Sequence, residues 1–170
     1  MAKPVFRYYI DFDGTGAFAS EVTSVLISAQ WQLGFSQPFD LMARDNTAEL
    51  VVQNITRDFS PEYTSGAYYD NVQPGRAVKI TSTYASVTRT MWLGWIASYQ
   101  PSVNIKGDRT CKITCTGWFE RAQRRESLIP IQLQQTADTV IGVILDESDI
   151  LPPGLTGRWI LGVSTLGQST

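Results

Sequence analysis

Apolar and polar residues alternate along most of this chain, and the alternation predicts strands. Val5 to Phe12 reads as an extended aromatic strand, closed by the turn chemistry of Asp13-Gly-Thr-Gly16. A second run, Val22 to Leu33, carries Val22, Val25, Ile27 and Trp31, and Phe35 to Asp40 breaks it. Thr47 to Gln53 is a third strand. Arg76 to Tyr84 places Val78, Ile80 and Tyr84 on one face, with Ser82 between them. Thr88 to Tyr99 puts Met91, Leu93, Trp95 and Ala97 on one face and Trp92, Gly94 and Ile96 on the other, so both faces are covered. Asp108 to Thr116 follows, and Tyr84–Thr88 and Asn104–Asp108 read as hairpin connections.

After Gly117 the period changes. Trp118 to Arg125 reads as a short helix in which Glu120 reaches Arg124. Leu128 to Leu133 reads as extended, with Pro130 marking an edge or a link. Ala137, Val140, Ile141, Ile144 and Leu145 form one apolar stripe, which predicts a helix over Ala137–Glu147 with Thr136 as its N-cap. No strand–helix–strand alternation precedes residue 117, which excludes a doubly wound parallel sheet. The expected class is mainly β with a few helices (α+β).

Composition narrows the function. Val, Ile and Thr supply 42 of 170 residues, which favours strands. There is no histidine, which excludes Ser-His-Asp and Cys-His mechanisms and His-ligated metals. A net charge of −2 argues against sequence-specific or general nucleic-acid binding. No apolar run is long enough for a membrane anchor, and the start lacks a signal-peptide core, so synthesis in a cytoplasm is expected. Cys111 and Cys115 alternate with polar residues on a strand, and their separation of roughly 13 Å is beyond disulfide reach. They read as buried apolar thiols.

Two motifs invite a chemical reading. Ile10-Asp11-Phe12-Asp13-Gly14-Thr15 resembles the nucleophile motif of haloacid dehalogenase-type phosphatases, and its carboxylates also suggest a calcium loop. A phosphatase needs alternating strands and helices, and the calcium pattern fails at Thr15 and Val22. A hairpin turn is the simpler reading, and neither a catalytic site, a metal nor a cofactor is expected. Asn54-Ile-Thr56 fits a glycosylation sequon. The long stretch from Asn54 to Gly75 holds Phe59, Tyr63, Tyr68 and Tyr69. Its aromatics suit either an interface or a plug over the protein's own barrel. Arg121, Arg124 and Arg125 form a charged helix face, either solvated or set against an acidic partner.

An ordered series of segments carries a family likeness. Asp45-Asn-Thr-Ala-Glu-Leu-Val-Val-Gln-Asn54 is followed by Arg57-Asp-Phe-Ser-Pro-Glu62, Val72-Gln-Pro-Gly-Arg-Ala-Val-Lys-Ile80 and Leu93-Gly-Trp-Ile96. Lys106-Gly-Asp-Arg-Thr110 and Cys115-Thr-Gly-Trp-Phe-Glu-Arg-Ala-Gln-Arg124 complete it. The series, over residues 22 to 147, resembles the N-terminal region of tail-tip and baseplate hub proteins of tailed bacteriophages. It departs from that pattern at Gln53, usually acidic, and at Ile55-Thr56, where a turn glycine is common.

The resemblance implies a small antiparallel β-barrel of the tail-hub kind with two helices packed on it, over residues 1–149. Residues 150–170 are expected to be an extended tail, leading to a further domain or contacting a neighbour. It implies a structural role in the virion: a homo-oligomeric ring, trimeric or hexameric, joining the tail tube to distal tail, tip or receptor-binding proteins. Candidate interface residues are Phe59, Tyr63, Tyr68, Tyr69, Arg121, Arg124, Arg125 and Trp159. The alternative is a carbohydrate- or receptor-binding β-module that presents Tyr68, Tyr69 and Trp159.

Overall fold

A computed structural model describes residues 3–34, 45–103, 107–124, 126, 135–147, 153 and 165–166. In chain order these form β1 (Val5–Asp11), β2 (Ser20–Glu21), a 3-10 turn (Thr23–Val25), β3 (Leu26–Gln32) and β4 (Thr47–Gln53). They continue with β5 (Ala77–Tyr84), β6 (Val87–Val103), β7 (Arg109–Thr116) and α1 (Trp118–Arg124). Last come β8 (Gln135–Thr136), α2 (Ala137–Glu147) and β9 (Thr165–Leu166). The first seven strands make one antiparallel sheet in the order β2-β1-β5-β6-β7-β4-β3. The sheet curls into a small half-barrel, followed by the two helices.

Strand β6 does the curling. Its first half, Val87 to Trp95, pairs with β5, and its second half, Trp95 to Val103, pairs with β7 on the other side. The shared strand therefore passes from one half of the sheet to the other. At the crossing, Gly94 lies so close to its neighbours that a Cβ would sit 2.4 Å from the Thr116 carbonyl oxygen. Just beyond, Ala97 bulges between Ile96, opposite Cys115, and Ser98, opposite Thr114. The bulge shifts the alternation by one residue. Ile96 and Tyr99, three apart, thus both reach the main core.

The core follows the period of two. Ile10, Leu50, Val52, Val78, Ile80, Trp92, Cys111, Ile113 and Cys115 point inward. A smaller cluster of Phe18, Ala77 and Leu93, flanked by Tyr9 and Trp95, is separate from it. The expectation that β6 is covered on both faces holds at Trp92–Ile96, because these two clusters take alternate residues. The curled edges meet through rings: Trp31 of β3 lies 5.7 Å from Phe6 and 6.4 Å from Tyr8 of β1.

Several expected boundaries move. The run from Val22 opens as a 3-10 turn, because Val22 N–H bonds to the Tyr8 carbonyl at 2.8 Å and the Thr23 hydroxyl accepts from Tyr8 N–H at 3.0 Å. β6 continues past Tyr99 through Pro101. Proline is tolerated there because this half of the strand pairs on one side only. Helix α2 keeps its expected bounds, and Leu145 is buried, yet Ile141 of the same stripe is exposed. Its proposed cap, Thr136, bonds the Thr139 hydroxyl at 2.9 Å. β9 pairs with β8, which ties Thr165–Leu166 to the residues before α2. The extended segment at 128–133 and residues 104–106 of the second hairpin lie outside the described residues.

Candidate functional site

The long segment after β4 has a regular backbone that its sequence does not announce. The N–H groups of Arg57, Ser60, Tyr63, Gly66 and Tyr69 bond to the carbonyls of Asn54, Arg57, Ser60, Tyr63 and Gly66 at 3.0–3.1 Å. Each bond spans three residues and each turn begins where the last ends. The loop is thus a train of five β-turns, which satisfies its backbone without a sheet. Asn71 N–H then bonds to the Tyr68 carbonyl, and Gly75, at φ 85°, turns the chain into β5.

Asn54 anchors the start. It is buried; its side-chain oxygen accepts from Phe59 N–H at 3.0 Å and its amide donates to the Ser60 hydroxyl at 2.9 Å. That burial leaves the sequon asparagine with no exposed amide to glycosylate. Asp58 accepts from Ala67 N–H at 2.9 Å and ties the middle of the loop together.

The aromatic residues divide into two groups. Phe59 is buried and Tyr68 half-buried, both against Phe12 at the end of β1. The Phe12 and Tyr68 rings stack with centroids 4.0 Å apart, and Phe59 lies 6.2 Å from Phe12 and 5.8 Å from Tyr68. These three rings plug the protein's own core. Tyr63 is half-buried with the Arg57 guanidinium 5.4 Å from its ring centroid, and Tyr69 is exposed. Of the expected interface aromatics, Tyr69 and the outer part of Tyr63 therefore face solvent. Phe12 was the missed member of the plug. Its position beside the Asp13-Gly14 turn is the only sequence signal for it.

The helix arginines lie elsewhere. The Arg121 guanidinium sits 4.1 Å from the Trp95 ring centroid, beside the smaller cluster, and Arg124 is exposed and paired with Glu120. Arg125 and Trp159 lie outside the described residues. Arg121 therefore packs on the sheet and does not join the loop aromatics.

The Asp11–Thr15 motif is a turn. Asp11 is buried and accepts from Gly16 N–H at 2.9 Å, while Asp13 accepts from the Thr15 hydroxyl at 3.1 Å. Burial raises the Asp11 pKa, and a hydrogen bond shared with Asp13 adds to the rise. The same shared bond lowers Asp13. The sheet around the motif is antiparallel throughout, so among the described residues the phosphatase arrangement of strands and helices is not present. Among the described residues no three Cys, Asp or Glu side chains gather as a metal site. Burial pushes the Cys111 thiol up to about 11 and raises Cys115 as well, and both are free. Among the described residues no helix is long and apolar enough to cross a membrane.

A curled antiparallel sheet with a turn-built plug and two trailing helices defines the class by fold. No protein-family profile matches the chain, and no curated protein matches it. A solved structure does: the 43 kDa tail protein of prophage MuSo2 from Shewanella oneidensis. It matches with a TM-score of 0.51 at 10% identity, over 86% of this chain and 39% of that one. At that identity the likeness is one of fold, and this chain spans well under half the length of the tail protein.

Proposed function

We propose that this protein is a structural subunit of a bacteriophage tail, at the tip or baseplate hub. Copies assemble as a ring, trimeric or hexameric, that joins the tail tube to the distal tip or receptor-binding components. The observation that carries this reading is the fold shared with a prophage tail protein across 86% of the chain. The ordered segments from Asp45 to Arg124 support it independently. A charged fraction of only 18%, against about 25% in an average globular chain, suits a surface that neighbours cover. The reading places the protein in the virion, and the loop's outer face, Tyr63 and Tyr69, against neighbouring subunits.

Mass photometry of the purified full chain, with immunodetection in purified particles, tests this. The expected result is a discrete oligomer that is also a virion component. A stable monomer absent from particles refutes it. The glycan-binding alternative is weaker because Tyr68, one of its proposed sugar-stacking rings, is already stacked on Phe12.

A further inference from the structure

The turn after β1 leaves one buried oxygen without a partner. Asp11 ends the strand only 2% exposed, and its Oδ2 accepts from Gly16 N–H at 2.9 Å. Its Oδ1 is buried and has no hydrogen-bond partner. A buried carboxylate oxygen without a donor is costly, and a proton or a cation relieves the cost. The Asp11 carboxyl also touches that of Asp13, which is exposed and so open to ions from solvent. Two carboxylates in contact repel unless positive charge lies between them. Among the described residues neither has an ion-pair partner. The Arg76 guanidinium passes beside Gly14, but it bonds Asn71 at 2.8 Å.

A third side-chain oxygen stands at this pair. The Thr15 hydroxyl lies 3.1 Å from Asp13 Oδ1; it is not an acid, so among the described residues no cluster of three acids results. Counted from Asp11, the three oxygens hold positions one, three and five of a calcium loop. Gly16, at φ 78°, supplies the glycine that such a loop needs at position six for its sharp turn. Position twelve, a bidentate Glu in the tight loops, is Val22, which is buried in the core. Two carboxylates without that Glu set the affinity at the weak end of the calcium range, a dissociation constant on the order of 1 mM. Magnesium demands a near-ideal octahedron and gives up its waters reluctantly, so this adaptable oxygen set favours calcium.

We propose that Asp11, Asp13 and Thr15 bind a calcium ion at the end of β1. Phe12 stands between the two carboxylates and stacks on Tyr68, so the ion also steadies the ring that fastens the plug. Thermal unfolding of the full chain at neutral pH tests this, first stripped of metal by a chelator and dialysed, then with calcium or magnesium chloride. At about 10 mM, calcium should raise the Tm by roughly 3–6 °C, and magnesium by less than half as much. Asp11→Asn and Asp13→Asn should each abolish the calcium increment, and Glu62→Gln, at an exposed acid in the turn-built loop, should keep it. The readout is the increment within each chain, so a change in a variant's own Tm does not obscure it. Circular dichroism checks that the variants are folded, and the exposed Asp13 provides the arm least able to disturb the core. A parent Tm that calcium leaves in place, that magnesium raises equally, or that rises as far in Asp13→Asn as in the parent overturns the site.

Discussion

Phe12 lies flat on Tyr68, their planes 11° from parallel, and so fastens the end of β1 to a loop that leaves the sheet after β4. Phe59 is buried beside this pair. Its replacement by Ala removes a core ring and leaves a cavity, at an expected cost of roughly 3–5 kcal/mol. Tyr69→Ala, at an exposed position of the same loop, should change stability by no more than about 0.5 kcal/mol. Urea unfolding of both variants separates a plug from a solvated loop; equal small effects would mean the loop is not part of the core.

The strands were legible because a half-buried strand writes its faces into the sequence. Cys111, Ile113 and Cys115 point inward as their alternation with Lys112, Thr114 and Thr116 predicts. The train of turns was not, because its bonds run between backbone groups of Asn54, Arg57, Ser60, Tyr63 and Gly66, whose side chains share no pattern. Asn54 shows the difference most clearly. In the sequence it completes a sequon, whereas in the fold its two side-chain bonds hold Phe59 and Ser60 in place. The bulge at Ala97 was hidden too, since one extra residue reverses faces without altering composition. Of the interface residues, the arginine on α1 read as a charged face proved to lie on Trp95, a tertiary contact that helical spacing cannot supply.

Asp11 makes stability depend on pH in an unusual direction. One of its carboxylate oxygens is buried without a donor. Burial first, then the neighbouring Asp13, raises its pKa above the ordinary 3.8. The folded chain therefore holds this proton at pH values where the unfolded chain has lost it. This contribution to stability is lost as pH rises from 3.8 through the raised value. Asp11→Asn keeps the acceptor for Gly16 and offers Asp13 a donor. At pH 7 it should stabilise by about 1 kcal/mol, a rise in Tm of roughly 2–4 °C for a chain of this size. The gain should vanish below pH 3.8, where Asp11 is protonated in both states. Thermal melts of both chains from pH 3 to pH 8 check this, and a gap independent of pH would contradict it.

The hairpin between β5 and β6 turns on Ala85 and Ser86, at φ 48° and 66°. Two consecutive positive φ values are those of a two-residue I′ turn, which favours Asn-Gly. Left-handed backbone costs an ordinary residue roughly 1–2 kcal/mol. Ala85→Asn with Ser86→Gly should therefore stabilise the fold by about 1 kcal/mol, read as a shifted urea midpoint at constant slope. A lower midpoint would show that the native turn is set by contacts of the Ala85 or Ser86 side chain.

Gly94 tests the crossing of β6 directly. A Cβ at this position would lie 2.4 Å from the Thr116 carbonyl oxygen and 2.5 Å from the Trp92 ring. The first neighbour is backbone in the β7 ladder and the second is a buried indole, so neither can give way cheaply. Gly94→Ala should therefore destabilise by at least about 2–3 kcal/mol through overpacking, although alanine suits a strand better than glycine does. Gly142 is the matched control. It lies inside α2 with nothing within 4 Å of a built Cβ, and Gly142→Ala should stabilise by roughly 0.5–1 kcal/mol. If both substitutions move the unfolding midpoint upward, β6 does not pass between the two halves of the sheet as closely as Thr116 and Trp92 indicate.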